Sequence, residues 1–321
     1  MINRLIKSNF ILFLCLMFVS CDDKSQSITS NSSFLPNASG ENNEMLLVMD
    51  STKFKGKIGR SLLQTYSSFI TGLPQPETKY DLRFIKPRKF NNILKYAKNI
   101  VIAFTLEGKS IDSEILRKNF NNESLDKIEN DSSLFYFVRR DQYAKGQLVL
   151  YLFSKTDEGL FNKIEKNKSS LLKFFDDELD KRVSREIFSK TEKNISQKIE
   201  KDHNIKVKIP FGYDLAKNII SENMNFFWLR QLDPEYEKNI YVFYEDYSKT
   251  KIDGLNKIFH STEPDVSPLR NFISKKFLID SEKTNIFMDI QSIFPINYEK
   301  INLNGNLAVI SKGLDRKSTR L

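Results

Sequence analysis

The sequence predicts an α+β fold: mixed sheets with flanking helices and one long amphipathic helix. Three observations carry this. Residues 45–106 alternate short apolar runs with helically spaced stretches in the order β-α-β-α-β. Residues 157–201 hold an apolar stripe that recurs every three to four positions on a background of Lys, Glu and Asp. The later part is rich in strand patterns and contains Asn304-Gly305, a favoured pair for a hairpin turn.

MLLVMD, residues 45–50, is a short apolar run and reads as a buried strand. Residues 56–69 place Ile58, Leu62, Leu63, Tyr66 and Phe69 at helical spacing, and GLPQPE at 72–77 is a turn by its Gly and two Pro. YDLRFI at 80–85 alternates as a strand does, a short helix is expected over 90–97, and NIVIAFTL at 99–106 is a second buried strand. A helix or small hairpin is expected near 112–120. Strands at 133–141 and 147–154 then join through a turn at Gly146.

The spacing of Leu160, Ile164, Leu171, Phe175, Leu179, Val183, Ile187, Ile195 and Ile199 predicts one helix over 157–201, with Asp157 at its N-cap. Strands follow at 205–210, 226–232 and 239–247. A helix near 266–278, a strand near 285–290 and a hairpin over 300–311 complete two packed halves.

The N-terminus is built differently. Arg4 and Lys7 precede an apolar run of residues 10–19, shorter than the ~20 residues a membrane-spanning helix needs. This is the pattern of a secretory signal, expected over residues 1–20 and removed on export. Phe18-Val19-Ser20-Cys21 resembles the bacterial lipobox, although Phe18 stands where that motif usually has Leu. The resemblance implies that Cys21 is acylated and becomes the new N-terminus. The chain's second cysteine, Cys15, lies inside the apolar run and leaves with it, so no disulfide is expected. Two or more acyl chains give a stable anchor where one is marginal.

Residues 21–44 are rich in Ser and Asn and poor in apolar residues. They read as a lipidated flexible linker ahead of an α+β domain over 45–314. Asp22 and Asp23, just after the cysteine, resemble surface-export signals of Bacteroidota lipoproteins; solubility alone would also account for them. The net charge is +9, part of it in the signal and in the last residues. The remaining basic residues are interspersed with acids and are not clustered beside aromatics, which argues against nucleic-acid binding.

ASGENNEMLLVMD, KGKIG, TGLPQPE, RRDQYAKGQLVLYLF, KIPFGYDLA and FFWLR, in that order, resemble one lipoprotein family of the Bacteroidota, domain of unknown function 4837. GLPQPE and the later LNGN with KGL are the most specific pieces, and Phe54 replaces a Trp. The resemblance covers residues 38–314. It implies a lipid-anchored protein of the cell envelope, at the outer membrane on its periplasmic or surface face, and it supplies no reaction.

Catalytic motifs are scarce. His203 and His260 lie in different elements without an HExxH or CxxC partner, and each reads as a surface or satisfied residue; no metal site and no cofactor are expected. GxSxG, the P-loop and the Rossmann glycine pattern are absent. Gly56-Lys57-Ile58-Gly59 reads as the turn and packing point at a helix start. Asp176, Asp177, Glu178 and Asp180, with Lys181, Arg182 and Arg185 near them, read as a solvated charged face. Trp228 reads as core, or else as part of an apolar groove. The favoured function is a non-enzymatic envelope lipoprotein binding a partner protein, a glycan or an apolar molecule. The alternative is an envelope hydrolase using carboxylates such as Glu77 or Glu245.

The last seven residues, DRKSTRL, match the translation of a common sequencing-library adapter. Residues 315–321 are therefore expected to be an artefact that truncates the domain and trails from it as a disordered tail. An uncovered apolar face is expected near Leu307 and Val309.

Overall fold

The parallel part of the fold is laid down by strands that are apolar on both faces. In β1 (Glu44–Met49), β3 (Asn99–Thr105) and β5 (Leu148–Ser154) every residue except Glu44 is buried. A strand of that kind needs a layer of structure on each side. The computed structural model describes residues 34–70, 73, 75–222, 224–244, 266–279 and 286–317. The signal segment, Cys15, Cys21, most of the linker, Glu245, Asp246 and His260 lie outside the described residues.

With β2 (Asp81–Ile85) and β4 (Tyr136–Arg140) these strands form a five-stranded sheet in the order β2-β1-β3-β5-β4. Four strands are parallel, and β4 adds antiparallel at one edge. The β4–β5 turn closes at Gly146 (φ +79°), whose N–H donates to the Asp141 carboxylate at 2.6 Å. One face of the sheet presents Leu47, Val101 and Leu150 to α2 (Lys57–Tyr66) and α5 (Asp157–Ile187). The other presents Val48, Ile102 and Phe153 to α3 (Ile111–Arg117) and α4 (Asn122–Asn130).

A short helix α1 (Ser51–Lys55) precedes α2 and meets it at Gly56. A Cβ on Gly59 would fall 1.8 Å from the Phe54 carbonyl oxygen, so Gly59 permits the close turn between the two helices. This is the packing role expected for the Gly56–Gly59 stretch. Phe69, expected on the same helix, lies beyond its end and is 65% exposed.

Several expectations are corrected. Residues 90–97 hold a 3₁₀ turn, Leu94–Tyr96, because the Asn91 side chain takes the N–H groups of Ile93 and Leu94 and sets a turn there. Residues 36–39 are not free linker: Ala38 N–H donates to Lys145 O and Ser39 N–H to Tyr96 O, both at 2.8 Å. The long helix ends at Ile187, kinks at Asn167, and is followed by a separate α6 (Lys193–His203). Its cap is Thr156, whose hydroxyl accepts from Gly159 N–H; Asp157 is the first helical residue. Leu160, Ile164, Leu171 and Phe175 are fully buried, Leu179 and Val183 are half-buried, and Ile187 is exposed. The stripe therefore fades as the helix runs past the end of the sheet.

The second half is a three-stranded antiparallel sheet with helices on both faces. Its strands are β6 (Asp214–Ile219), β7 (Asn225–Leu232) and β8 (Glu237–Tyr244). Phe227 and Leu229 pack toward α6, while Phe226 and Trp228 pack toward α7 (Ser267–Phe277). Residues 205–210 are not a strand. They carry only an isolated bridge from Pro210 to Thr191, with Ile209 turned into the core.

β9 (Met288–Ile290), β10 (Asn297–Leu303) and β11 (Asn306–Lys312) follow, and the β10–β11 turn has positive φ at both Asn304 and Gly305, as its sequence demands. This hairpin is a two-stranded sheet whose Leu303 and Leu307 are more than half exposed. The chain does not trail away after Leu314. Asp315–Lys317 forms β12, antiparallel to β9, and the Asp315 carboxylate accepts from Arg270. The mixed parallel and antiparallel sheets with flanking helices make the whole an α+β fold.

Candidate functional site

In an open parallel sheet, ligands bind outside the carboxyl ends of strands whose connections leave to opposite faces. Here β1 leads to α1 and α2 on one face, and its neighbour β3 leads to α3 on the other. Asp50 follows β1 directly. It is buried and accepts from Thr52 N–H at 2.7 Å, Thr52 Oγ1 at 2.6 Å and Ser113 Oγ at 3.0 Å. Ser110, the cap of α3, also donates its hydroxyl to Asp50. One carboxylate thus caps α1 and ties it to the start of α3, closing the crevice between β1 and β3.

Burial opposes the charge of Asp50, but the hydroxyl and backbone donors from Ser110, Thr52 and Ser113 outweigh it and bring its pKa down to about 2. An unfolded aspartate titrates near 3.9, so the group stabilises the fold above that pH and loses its contribution as pH falls through about 2. The gain is on the order of 2 kcal/mol. Asp50→Asn is therefore expected to lower stability at pH 7 and to flatten the loss of stability between pH 5 and pH 2. Urea titrations across that range measure it; equal acid dependence in both proteins would refute the assignment.

Beside this clasp a cavity of 360 Å³ opens between the N-terminal ends of α2 and α5, lined by Lys53, Lys57, Ile58, Asp157, Glu158 and Phe161 among others. Lys53 is buried and its ammonium is bonded to Asp157. Thr105 at the end of β3 donates to the same carboxylate at 2.6 Å, and Glu107 accepts from Asp157 N–H at 2.6 Å. At the rim Lys57 pairs with Glu158 at 3.4 Å. A Cβ on Gly108 would approach Ser113 Oγ to 2.4 Å and Lys53 Cε to 3.2 Å, so the clasp and the lysine pack against one glycine.

None of these residues was singled out for function from the sequence. Asp50 ends an apolar run and is followed by Ser-Thr, which is a visible signal. Lys53 and Asp157 are 104 residues apart, and nothing local links them.

The residues that were singled out lie elsewhere. Glu77 is exposed in the turn region, with its carbonyl accepting from Ile70 N–H. His203 is buried and satisfied: Nδ1 is 3.0 Å from the Tyr244 hydroxyl and Nε2 is 2.5 Å from Asn218 Oδ1. Asn218 in turn donates to Asp202 at 2.8 Å. Trp228 is half-buried against the α7 side of its sheet and donates to Asn239 at 2.7 Å.

The solvated face expected at 176–185 needs correction. Glu178 and Arg182 are buried. Arg182 donates to Asn99 Oδ1 at 2.7 Å and to Lys98 O at 3.1 Å, because α5 passes the open backbone at the start of β3. Asp176 is also engaged, accepting from Lys79 at 2.7 Å and from the Tyr80 hydroxyl at 3.0 Å.

Among the described residues no group of three or more His, Cys, Asp or Glu is placed to hold a metal ion. No helix among them is long and apolar enough to cross a membrane.

Two family models match the chain. Residues 38–188 are similar to a domain of unknown function, DUF8532, and residues 192–318 to a domain of unknown function, DUF4837. The resemblance expected as one family over 38–314 thus divides at the end of α5, and only the second part is similar to DUF4837. No curated protein and no solved structure matches.

Proposed function

We propose that this chain is a lipid-anchored protein of the bacterial cell envelope, held at the outer membrane through Cys21. In this reading the folded part binds a ligand in the cavity beside Asp50 and Lys53 and catalyses nothing. The cavity at the carboxyl edge of the parallel sheet is the observation that carries the binding role. Its position supports the reading. Residues 34–43, which lead from the tether, and residues 188–192, which lead to the second half, both leave from the opposite edge of the sheet. The cavity therefore lies at the end of the sheet opposite to where the described chain enters it. The carboxylates in it, Asp157 and Glu158, are each paired with a lysine.

Two measurements test this. Cells fed a fatty-acid analogue should label the wild type and not Cys21→Ala; equal labelling of both would remove the anchor. Native mass spectrometry of the detergent-solubilised protein should show a small-molecule adduct. That adduct should disappear in Lys57→Trp, which puts an indole across the cavity mouth. Spectra free of adduct in both proteins, or an adduct retained in the variant, would count against the binding role.

A further inference from the structure

The cavity between α2 and α5 holds charges of both signs in equal number: Lys53 and Lys57 face Asp157 and Glu158, with Ile58 and Phe161 as the apolar part of its lining. We propose that it takes a zwitterion with a small apolar body, an amino acid or a short peptide, whose carboxylate meets Lys57 and whose ammonium meets Glu158. This rests on the reading of the cavity as a ligand site.

The two ion pairs differ in kind. The inner one is fixed: the Lys53 side chain is 7% exposed, and Thr105 holds Asp157 from behind. The outer one is loose. Lys57 and Glu158 are 64% and 62% exposed and 3.4 Å apart. An exposed pair of that kind contributes about 0–1 kcal/mol, so a ligand can part it at little cost.

A ligand with one charge would engage one partner and leave the other to water. A zwitterion satisfies both and leaves the inner pair intact. The balanced lining also disfavours phosphates and nucleotides, which bring negative charge without a compensating cation.

The apolar lining suits a small side chain. The Phe161 ring stands under the Lys57 ammonium at 5.6 Å, and Ile58, also in the lining, is buried. At 360 Å³ the cavity is near the small end of ligand sites, which span about 300–1,000 Å³.

The test uses the full-length protein in detergent micelles, titrated calorimetrically with alanyl-alanine, its N-acetyl derivative and its C-terminal amide. The free dipeptide should bind, and each blocked form should bind about three- to fivefold more weakly, a difference of about 0.7–1 kcal/mol. The double variant Lys57→Gln, Glu158→Gln should lose the free dipeptide to a similar degree. Lys127→Gln, which removes an exposed pair on α4, should leave binding unchanged. Equal binding of all three peptides, or binding of none, overturns the assignment of the ligand. If the adduct lost in Lys57→Trp is still found in that case, the cavity remains a ligand site for another class. If no such adduct exists, both readings fall.

Discussion

Phe175→Ala is expected to destabilise the protein by about 3–5 kcal/mol, the range for a fully buried aromatic truncated in a core that cannot collapse. Phe175 is wholly buried where α5 crosses α2 and the sheet. Its ring meets Tyr66 edge-on at 5.5 Å and Tyr80 at 6.3 Å, so truncation opens a cavity bounded by two rigid rings. Among the described residues the Tyr66 hydroxyl is buried without a hydrogen-bond partner. Urea unfolding should show a lower midpoint at unchanged slope. A loss under about 1 kcal/mol would mean that α5 is not seated here as described.

Arg182→Ala should cost about 1–3 kcal/mol, for a different reason: it leaves a buried acceptor unpaired. Arg182 and Glu178 are both buried at the amino edge of the sheet, where Glu178 also draws Arg140 at 3.4 Å and Arg185 at 3.8 Å. Removing Arg182 leaves Asn99 Oδ1 without its 2.7 Å donor and takes one of three cations from Glu178, which keeps Arg140 and Arg185; Asn99 also anchors the entry segment by donating to Asn42 O at 2.9 Å and Glu44 O at 2.8 Å. Replacing both partners, Arg182→Leu with Glu178→Leu, should recover part of the loss: it removes the buried charges but still leaves Asn99 Oδ1 without its donor. A double-mutant cycle measures this. If the double variant is as unstable as the sum of the singles, the two charges are independent and the described network is wrong.

These two sites show unequally how much the sequence could reveal. The apolar spacing of Leu160, Ile164, Leu171 and Phe175 identifies the buried stripe without any structure, because helix periodicity is a local property. The same spacing suggested that the stripe runs unbroken to Ile199. It could not show that the sheet ends near Arg182, that Ile187 reaches solvent, or that a second helix begins at Lys193. Glu178 and Arg182 look like any surface pair four positions apart, and they are buried only because the start of β3 lies beneath them.

The α+β class, the buried strands β1 and β3, the strand β5, the Gly59 packing point and the turn at Asn304-Gly305 are all legible in the sequence. Each of these rests on residues within one element or on the backbone freedom of a single glycine. The strand order, the Asp50 clasp on Ser110 and Ser113, and the cavity between α2 and α5 emerge only in the folded chain. The physical reason is separation along the chain. Lys53 and Asp157 are 104 residues apart, and no local propensity encodes a pair that forms only after the strands between them have assembled.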